Sequence, residues 1–180
     1  DEMIIREAEQ KEIVDYAVDI QNAGNTLLAI INDILDFSKI ESGKLEIKEK
    51  EYDFASLIHD TSLMASFKAE EKSIDFIMSV DNNLPSRLYG DDARIRQVLD
   101  NLLTNGIKYT KAGFVQLVVR GERHENKVRL YFEVIDTGIG IKQEDIPRLF
   151  NEFDRIDETA NRDVAGTGLG LNITSELVSL

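Results

Sequence analysis

Asp136-Thr137-Gly138-Ile139-Gly140 places a carboxylate at the end of a β-branched, aromatic run and follows it with two closely spaced glycines. A carboxylate in that position accepts a hydrogen bond from an exocyclic amine such as that of adenine, where guanine would present a carbonyl oxygen. Gly138 and Gly140 let the backbone approach a flat ring closely. The same pentapeptide also fits a strand that merely stops in a turn.

Two further segments carry chemistry. In Asn101-Leu102-Leu103-Thr104-Asn105-Gly106-Ile107-Lys108-Tyr109-Thr110, the two asparagines fall four apart, which puts them on one helical face with Lys108 and Tyr109 in the next turn. A carboxamide oxygen suits Mg²⁺, a hard ion that keeps waters and shares phosphate oxygens with a nucleotide. Lys108 would neutralise phosphate and Tyr109 would offer its face to a base, although a solvated helix face carries the same residues. Gly166-Thr167-Gly168-Leu169-Gly170-Leu171 leads into a helix, whose free N–H groups and dipole favour phosphate. A glycine triplet of this kind also marks a flexible loop or a dinucleotide site. The latter needs a preceding buried strand, and Arg155 to Val164 is polar, so a mobile lid bracketed by Phe150 and Phe153 is the better account. Taken together the three segments predict an ATP site, with Mg²⁺, assembled from distant stretches of chain.

Composition bounds the rest. With 180 residues and 42% hydrophobic content the chain buries a sizeable core, enough for one domain and an appended element. A net charge of -13, from 34 acids against 21 basic residues, argues against a nucleic-acid partner. There is no cysteine, and His59 and His124 are too isolated for a zinc site. No apolar run approaches the roughly 20 residues needed to cross a bilayer and no signal peptide opens the chain, so the expected compartment of this segment is the cytoplasm.

The elements that must position these residues follow from periodicity. Ile13, Ala17, Ile20, Gly24, Leu27, Ile31 and Ile34 recur at steps of four and three, and Tyr16, Ala23, Ile30 and Phe37 widen the stripe. So broad an apolar face on one long helix predicts a bundle built by two chains, ending near Gly43, with Met3 to Ile5 closing an earlier helix. Leu45 and Ile47 alternate like a strand, Phe54 to Ala69 suits an amphipathic helix, and Ile74 to Val80 alternates again. Asp91 or Asp92 caps a helix carrying Ile95, Val98, Leu99 and Leu102 inward. Phe114 to Arg120 and Val128 to Asp136 read as a hairpin around the polar turn Gly121 to Lys127, followed by a short helix near Glu144 to Phe150 and another from Leu169. The fold class is therefore α+β, a helical layer on a mixed sheet.

In order and wording these segments resemble the ATP-binding domain of two-component sensor histidine kinases, of the hybrid kind, within the GHKL nucleotide-binding superfamily. Asn101 to Thr110 matches its N box, Asp136 to Gly140 its first glycine box, Leu149-Phe150-Asn151-Glu152-Phe153 its F box and Gly166 to Leu171 its second glycine box. Ile31 to Lys44 is similar to the second dimerisation helix and its exit. The resemblance implies a two-layer α/β sandwich binding Mg-ATP, preceded by part of a dimerisation hairpin over residues 1–43 and occupying residues 44–180. It implies Asn105 and Asn101 at the metal, with Asn101, Asn105 and Lys108 serving catalysis. Nucleotide contacts are implied for Asn105, Lys108, Tyr109, Asp136, Gly138, Gly140, Ile141, Phe153, Gly166, Thr167, Gly168, Leu169, Gly170 and Leu171. The partners implied are a second copy joined through the N-terminal helices, a phosphoacceptor-histidine helix and a response-regulator receiver domain, in the cytoplasmic portion of a membrane-anchored sensor.

Two departures accompany the resemblance. The acceptor motif, a histidine followed by an acid and an Arg-x-Pro segment, is absent, and neither His59 nor His124 has that context. The family also adds a further hairpin beyond the second glycine box, so the expectation is a fragment that starts after the acceptor helix and stops short of the last strands. Asn101 bears on the reaction, because hydrolytic GHKL relatives carry a glutamate there to activate water and an amide cannot act as that base. A GHKL ATPase, or a non-catalytic module for nucleotide binding or dimerisation, stands as the alternative.

Overall fold

A computed structural model describes residues 11–151 and 168–180, and the chain divides into two compact units, 1–45 and 46–180. In the first unit, helix α1 (Lys11–Glu41) runs for 31 residues. It stops where Gly43 takes φ +63° and the Gly43 and Lys44 amides fold back onto the carbonyls of Ile40 and Lys39 at 2.9 and 2.8 Å. The heptad stripe is real but uncovered: Ile20 and Leu27 are each 58% exposed, Ile13, Ile31 and Ile34 are exposed as well, and Ala17 alone of that row is buried. The earlier helix expected around Met3 to Ile5 lies outside the described residues.

The second unit begins with strand β1 (Lys50–Asp53), which runs directly into helix α2 (Phe54–Glu71). Asp53 caps that helix by accepting from the Ser56 N–H at 2.7 Å, and this bond holds its carboxyl below the ordinary carboxylate range. Strands β2 (Asp75–Val80) and β3 (Arg87–Gly90) follow, then helix α3 (Asp92–Tyr109). Asp91 is its N-cap, accepting from the Arg94 N–H at 3.1 Å, while the Lys50 ammonium beside Asp92 lowers that carboxyl's pKa. Strands β4 (Phe114–His124) and β5 (Lys127–Asp136), a single 3-10 turn at Ile146–Arg148 and helix α4 (Gly170–Ser179) complete the described chain.

The sheet is mixed, as expected. β4 lies at its centre, parallel to β2 and antiparallel to β5, while β1 and β3 form a separate antiparallel ribbon. Alternation along β4 turns Val115, Leu117 and Val119 into the core, each fully buried, against Leu99, Leu103 and Ile107 of α3 and Leu57, Ile58, Ala65 and Ala69 of α2. Phe54 meets Phe132 of β5 with ring centroids 6.4 Å apart. Burying side chains of this size stabilises the fold by about 1.5–3 kcal/mol each, which fixes α3 against the sheet and so fixes everything α3 carries.

Three local expectations shift. Leu45 and Ile47 precede the strand instead of forming it, because the ladder with β3 spans Lys50 to Asp53 only. The hairpin strands reach His124 and resume at Lys127, leaving a two-residue turn in which Glu125 takes φ +52°. The short helix near Glu144 to Phe150 shrinks to one 3-10 turn.

Candidate functional site

Helix α3 is the wall from which the candidate site is built. At its C-terminal end the Tyr109 carbonyl accepts the Ile139 N–H at 3.3 Å, seating the loop after β5 on the helix. A Cβ at Gly138 would lie 2.6 Å from that same carbonyl oxygen and 2.8 Å from Asp136 Oδ1, so no side chain fits there. Gly140 differs: nothing crowds it, and its φ of +68° is what favours glycine. Asp136 Oδ1 accepts the Gly138 N–H at 2.9 Å, which orients an exposed carboxylate and leaves Oδ2 as the acceptor it offers. Thr137 ties the loop to the sheet, its Oγ1 accepting from the Phe114 N–H at 2.9 Å.

One and two turns before Tyr109 stand the two amides. Asn101 donates through Nδ2 to Thr174 Oγ1 of α4 at 2.7 Å, and Asn105 donates through its own Nδ2 to Asn101 Oδ1 at 3.4 Å. Both are half-buried. The backbone of α4 comes so close here that a Cβ on Gly170 would overlap the Asn101 carboxamide. Leu169, Ile173, Thr174 and Leu177 bury the inner face of α4. Its N-cap is Leu169, whose apolar side chain makes no capping bond. Asn172 Nδ2 reaches back to the Phe150 carbonyl at 2.9 Å. Lys108 Nζ lies 5.1 Å from the centroid of the Tyr109 ring, a cation above an aromatic face at the mouth of the same end of α3. Next to Asn101, Asp100 has its pKa raised by desolvation, opposed by Arg96 and Lys68.

A neutral carboxamide pair, one member of which is held by the other and by Thr174, fits a site that lends one oxygen to a hard cation already carrying phosphate and water. No cluster of three or more acidic, histidine or cysteine side chains suited to hold a metal alone exists among the described residues.

The family model described as histidine kinase-, DNA gyrase B-, and HSP90-like ATPase matches residues 90–180, from the last residue of β3 through α4. The chain belongs to this family. It is 39% identical over 166 residues to the sensor histidine kinase GacS of Pseudomonas protegens, covering 92% of this chain and 18% of that protein. Against the signal transduction histidine-protein kinase BarA of Escherichia coli the identity is 36% over the same length, again 92% and 18%. The chain thus spans under a fifth of these curated relatives. Among solved structures, full-length ShkA in complex with AMPPNP superposes with a TM-score of 0.74 at 30% identity, over 94% of this chain and 34% of that one.

The Tyr109–Ile139 bond joins α3, which carries Asn101, Asn105, Lys108 and Tyr109, to the loop that carries Asp136, Gly138 and Gly140. Ile141 lies exposed just beyond that loop. Gly168, with φ +75°, Leu169, Gly170 and Leu171 form the entry of α4 beside Asn101. Phe153, Gly166 and Thr167, with the expected lid, lie outside the described residues. Sequence reasoning missed Thr137 and Thr174. Thr137 lies inside the first glycine motif, but its Oγ1 bonds the Phe114 N–H 23 positions away, and Thr174 is 73 positions from the amide it holds.

Proposed function

We propose that this chain supplies the ATP-binding, phosphoryl-donating part of a two-component sensor histidine kinase. The observation that carries the reading is the joint at Tyr109, where one carbonyl both seats the Ile139 N–H and leaves room only for a glycine at 138. It supports reading the Asp136 carboxylate and the amide-bearing helix as parts of one pocket. The names of the relatives and the AMPPNP bound to ShkA support an adenine nucleotide as the ligand.

In this reading Asp136 Oδ2 accepts the adenine amine and Tyr109 lies along the base. Asn105 lends its carboxamide oxygen to Mg²⁺, which supplies neutralising charge on the phosphates, and Asn101 holds Asn105 in place. Lys108 and the entry of α4 at Gly168 to Leu171 face the phosphates, with Ile141, Phe153, Gly166 and Thr167 completing the nucleotide contacts. Positioning and electrostatics do the catalysis in phosphoryl transfer of this kind. Asn101 cannot take a proton from water, which favours transfer to a histidine over hydrolysis. The acceptor is a histidine on a dimerisation helix, and the phosphoryl group passes next to a receiver-domain aspartate.

Residues 1–43 are then part of the dimerisation hairpin, residues 44–180 the catalytic domain, and the open apolar face of α1 the surface joining two copies. The setting is the cytoplasmic side of a membrane-anchored sensor. None of the helices among the described residues is long and apolar enough to cross a membrane. Calorimetry with Mg-ATP, Mg-GTP and ATP plus chelator tests the reading: binding is expected for Mg-ATP alone, and equal affinity for all three would overturn it.

A further inference from the structure

Lys72 is the C-cap of α2, its own N–H turned back onto the Ala69 and Glu70 carbonyls. Ser73 beside it takes φ +56°, and the Ile74 N–H returns to the Ala69 carbonyl at 3.1 Å, so the Lys72 backbone is pinned where α2 turns into β2. From there the side chain crosses to the end of α3. Its ammonium donates to the carbonyls of Ile107 at 2.6 Å, Lys108 at 2.9 Å and Thr110 at 2.9 Å. An ammonium has three donors, and all three are used.

Those carbonyls are ones a helix end leaves without intrahelical partners, and a cation is the charge that the negative end of the dipole favours. The pattern of the last turn is complete. The Gly106 carbonyl takes the Thr110 N–H at 3.1 Å, Lys72 takes the carbonyls of 107, 108 and 110, and the one it skips, Tyr109, takes Ile139 of the Asp136 loop. The peptide that seats the loop is held on both sides by one lysine.

We propose that Lys72 is a positioning residue for the nucleotide pocket: by binding the carbonyls that flank Tyr109 it keeps the Tyr109 carbonyl aimed at the Asp136 loop. The consequence for nucleotide rests on the function proposed above; the geometry does not. Lys72→Met keeps the methylene stem and removes the donors, so three carbonyls, those of Ile107 and Thr110 in part-buried bonds, lose this partner and the last turn of α3 opens more readily. Lys72→Arg restores a cation with several donors.

Amide exchange and nucleotide titration on the full chain decide it. In Lys72→Met, exchange at Ile139 and Gly138 is expected to accelerate about tenfold or more while Leu99 and Leu117 in the core stay protected. Affinity for Mg-ADP is expected to fall about tenfold, equivalent to ~1.4 kcal/mol, with Lys72→Arg close to the parent. Should Lys72→Met fail to fold, Lys72→Gln, with two donors, is expected to show the same local pattern at smaller size. Unchanged exchange at Ile139 in a folded variant, or acceleration shared equally by the core strands, overturns the proposal. A parent chain that binds no adenine nucleotide removes the functional reading alone, since exchange at Ile139 still decides the role of Lys72.

Discussion

Asn101 Nδ2 donates to Thr174 Oγ1 across 2.7 Å, joining the amide-bearing helix to the helix that follows the second glycine segment. The bond anchors the Asn101 carboxamide against α4. With its NH₂ toward the threonine, its oxygen is turned to Asn105, which donates its own NH₂ and is left with the oxygen to offer. A hydroxyl on α4 therefore anchors one end of a two-amide relay ending at the proposed metal ligand.

That relay makes a graded set of variants. At a hundred times its dissociation constant a nucleotide stabilises the parent by about 2.7 kcal/mol. Asn105→Ala is expected to lose almost all of that gain in Mg-ADP without changing the melting temperature of the free protein, because Asn105 is a half-buried amide at the edge of the core. Thr174→Val keeps shape but removes the partner that anchors the Asn101 amide, and is expected to weaken Mg-dependent binding in part, with Thr174→Ser near the parent. Melting curves with Mg-ADP and with ADP plus chelator check it. Equal ligand shifts for Asn105→Ala and the parent would take Asn105 out of the site.

Asp136 offers a sharper substitution than removal. In Asp136→Asn the Oδ1 still accepts from the Gly138 N–H, so the loop keeps its turn, but the outer atom becomes an NH₂ that faces the adenine amine donor to donor. Loss of one acceptor in a polar pocket costs on the order of 1–3 kcal/mol in ATP affinity. Discrimination against GTP is expected to fall with it, since the amide NH₂ can donate to the guanine carbonyl oxygen. Calorimetry with both nucleotides gives the ratio, and an unchanged ATP affinity would mean that adenine is read elsewhere.

How far the amino-acid pattern carries depends on the range of the interaction. Period-two alternation in β4 and β5 and the cap at Asp91 are local, and the structure has them where the residues suggest. Leu45 and Ile47 alternate equally well yet find no partner strand, while Arg87–Gly90, four residues with little pattern, pairs with β1 and becomes β3. Pairing decides what alternation only permits. The site divides in the same way. Asp136, Gly138, Asn101 and Asn105 are legible because their chemistry is written within single motifs, whereas Lys72 and Thr174 act on backbone and amide groups 35 to 38 and 73 positions away. No local signal marks a lysine at one helix end as the cap of another.

The uncovered stripe of α1 leads to an expectation about assembly. Ile20 and Leu27 are each 58% exposed, and burying a side chain of that size is worth about 1.5–3 kcal/mol. The chain is expected to be dimeric at micromolar concentration by light scattering. Ile20→Glu with Leu27→Glu is expected to give a monomer that still binds Mg-ATP, because residues 46–180 form a compact unit with its own core. A parent that is already monomeric would argue against pairing through this helix.

The last expectation concerns phosphoryl transfer to the chain's own histidines. His59 lies exposed on α2, and His124 closes β4 at the hairpin turn, its Nε2 3.6 Å from a carboxylate oxygen of Glu122. An acceptor imidazole must be held in line with the γ-phosphate at near-attack distance, which requires an element free to swing to the nucleotide. Both histidines instead belong to the unit proposed to hold the nucleotide, one fixed on a helix packed against the sheet and one on a hairpin paired along its length. Incubation with γ-labelled ATP is therefore expected to leave the chain unlabelled while calorimetry shows binding. Addition of a protein carrying the dimerisation helices with an acceptor histidine is expected to yield acid-labile phosphate on that partner. Acid-labile label on this chain that disappears in His59→Ala or His124→Ala would make one of these two histidines an acceptor and require the catalytic unit to reach its own surface.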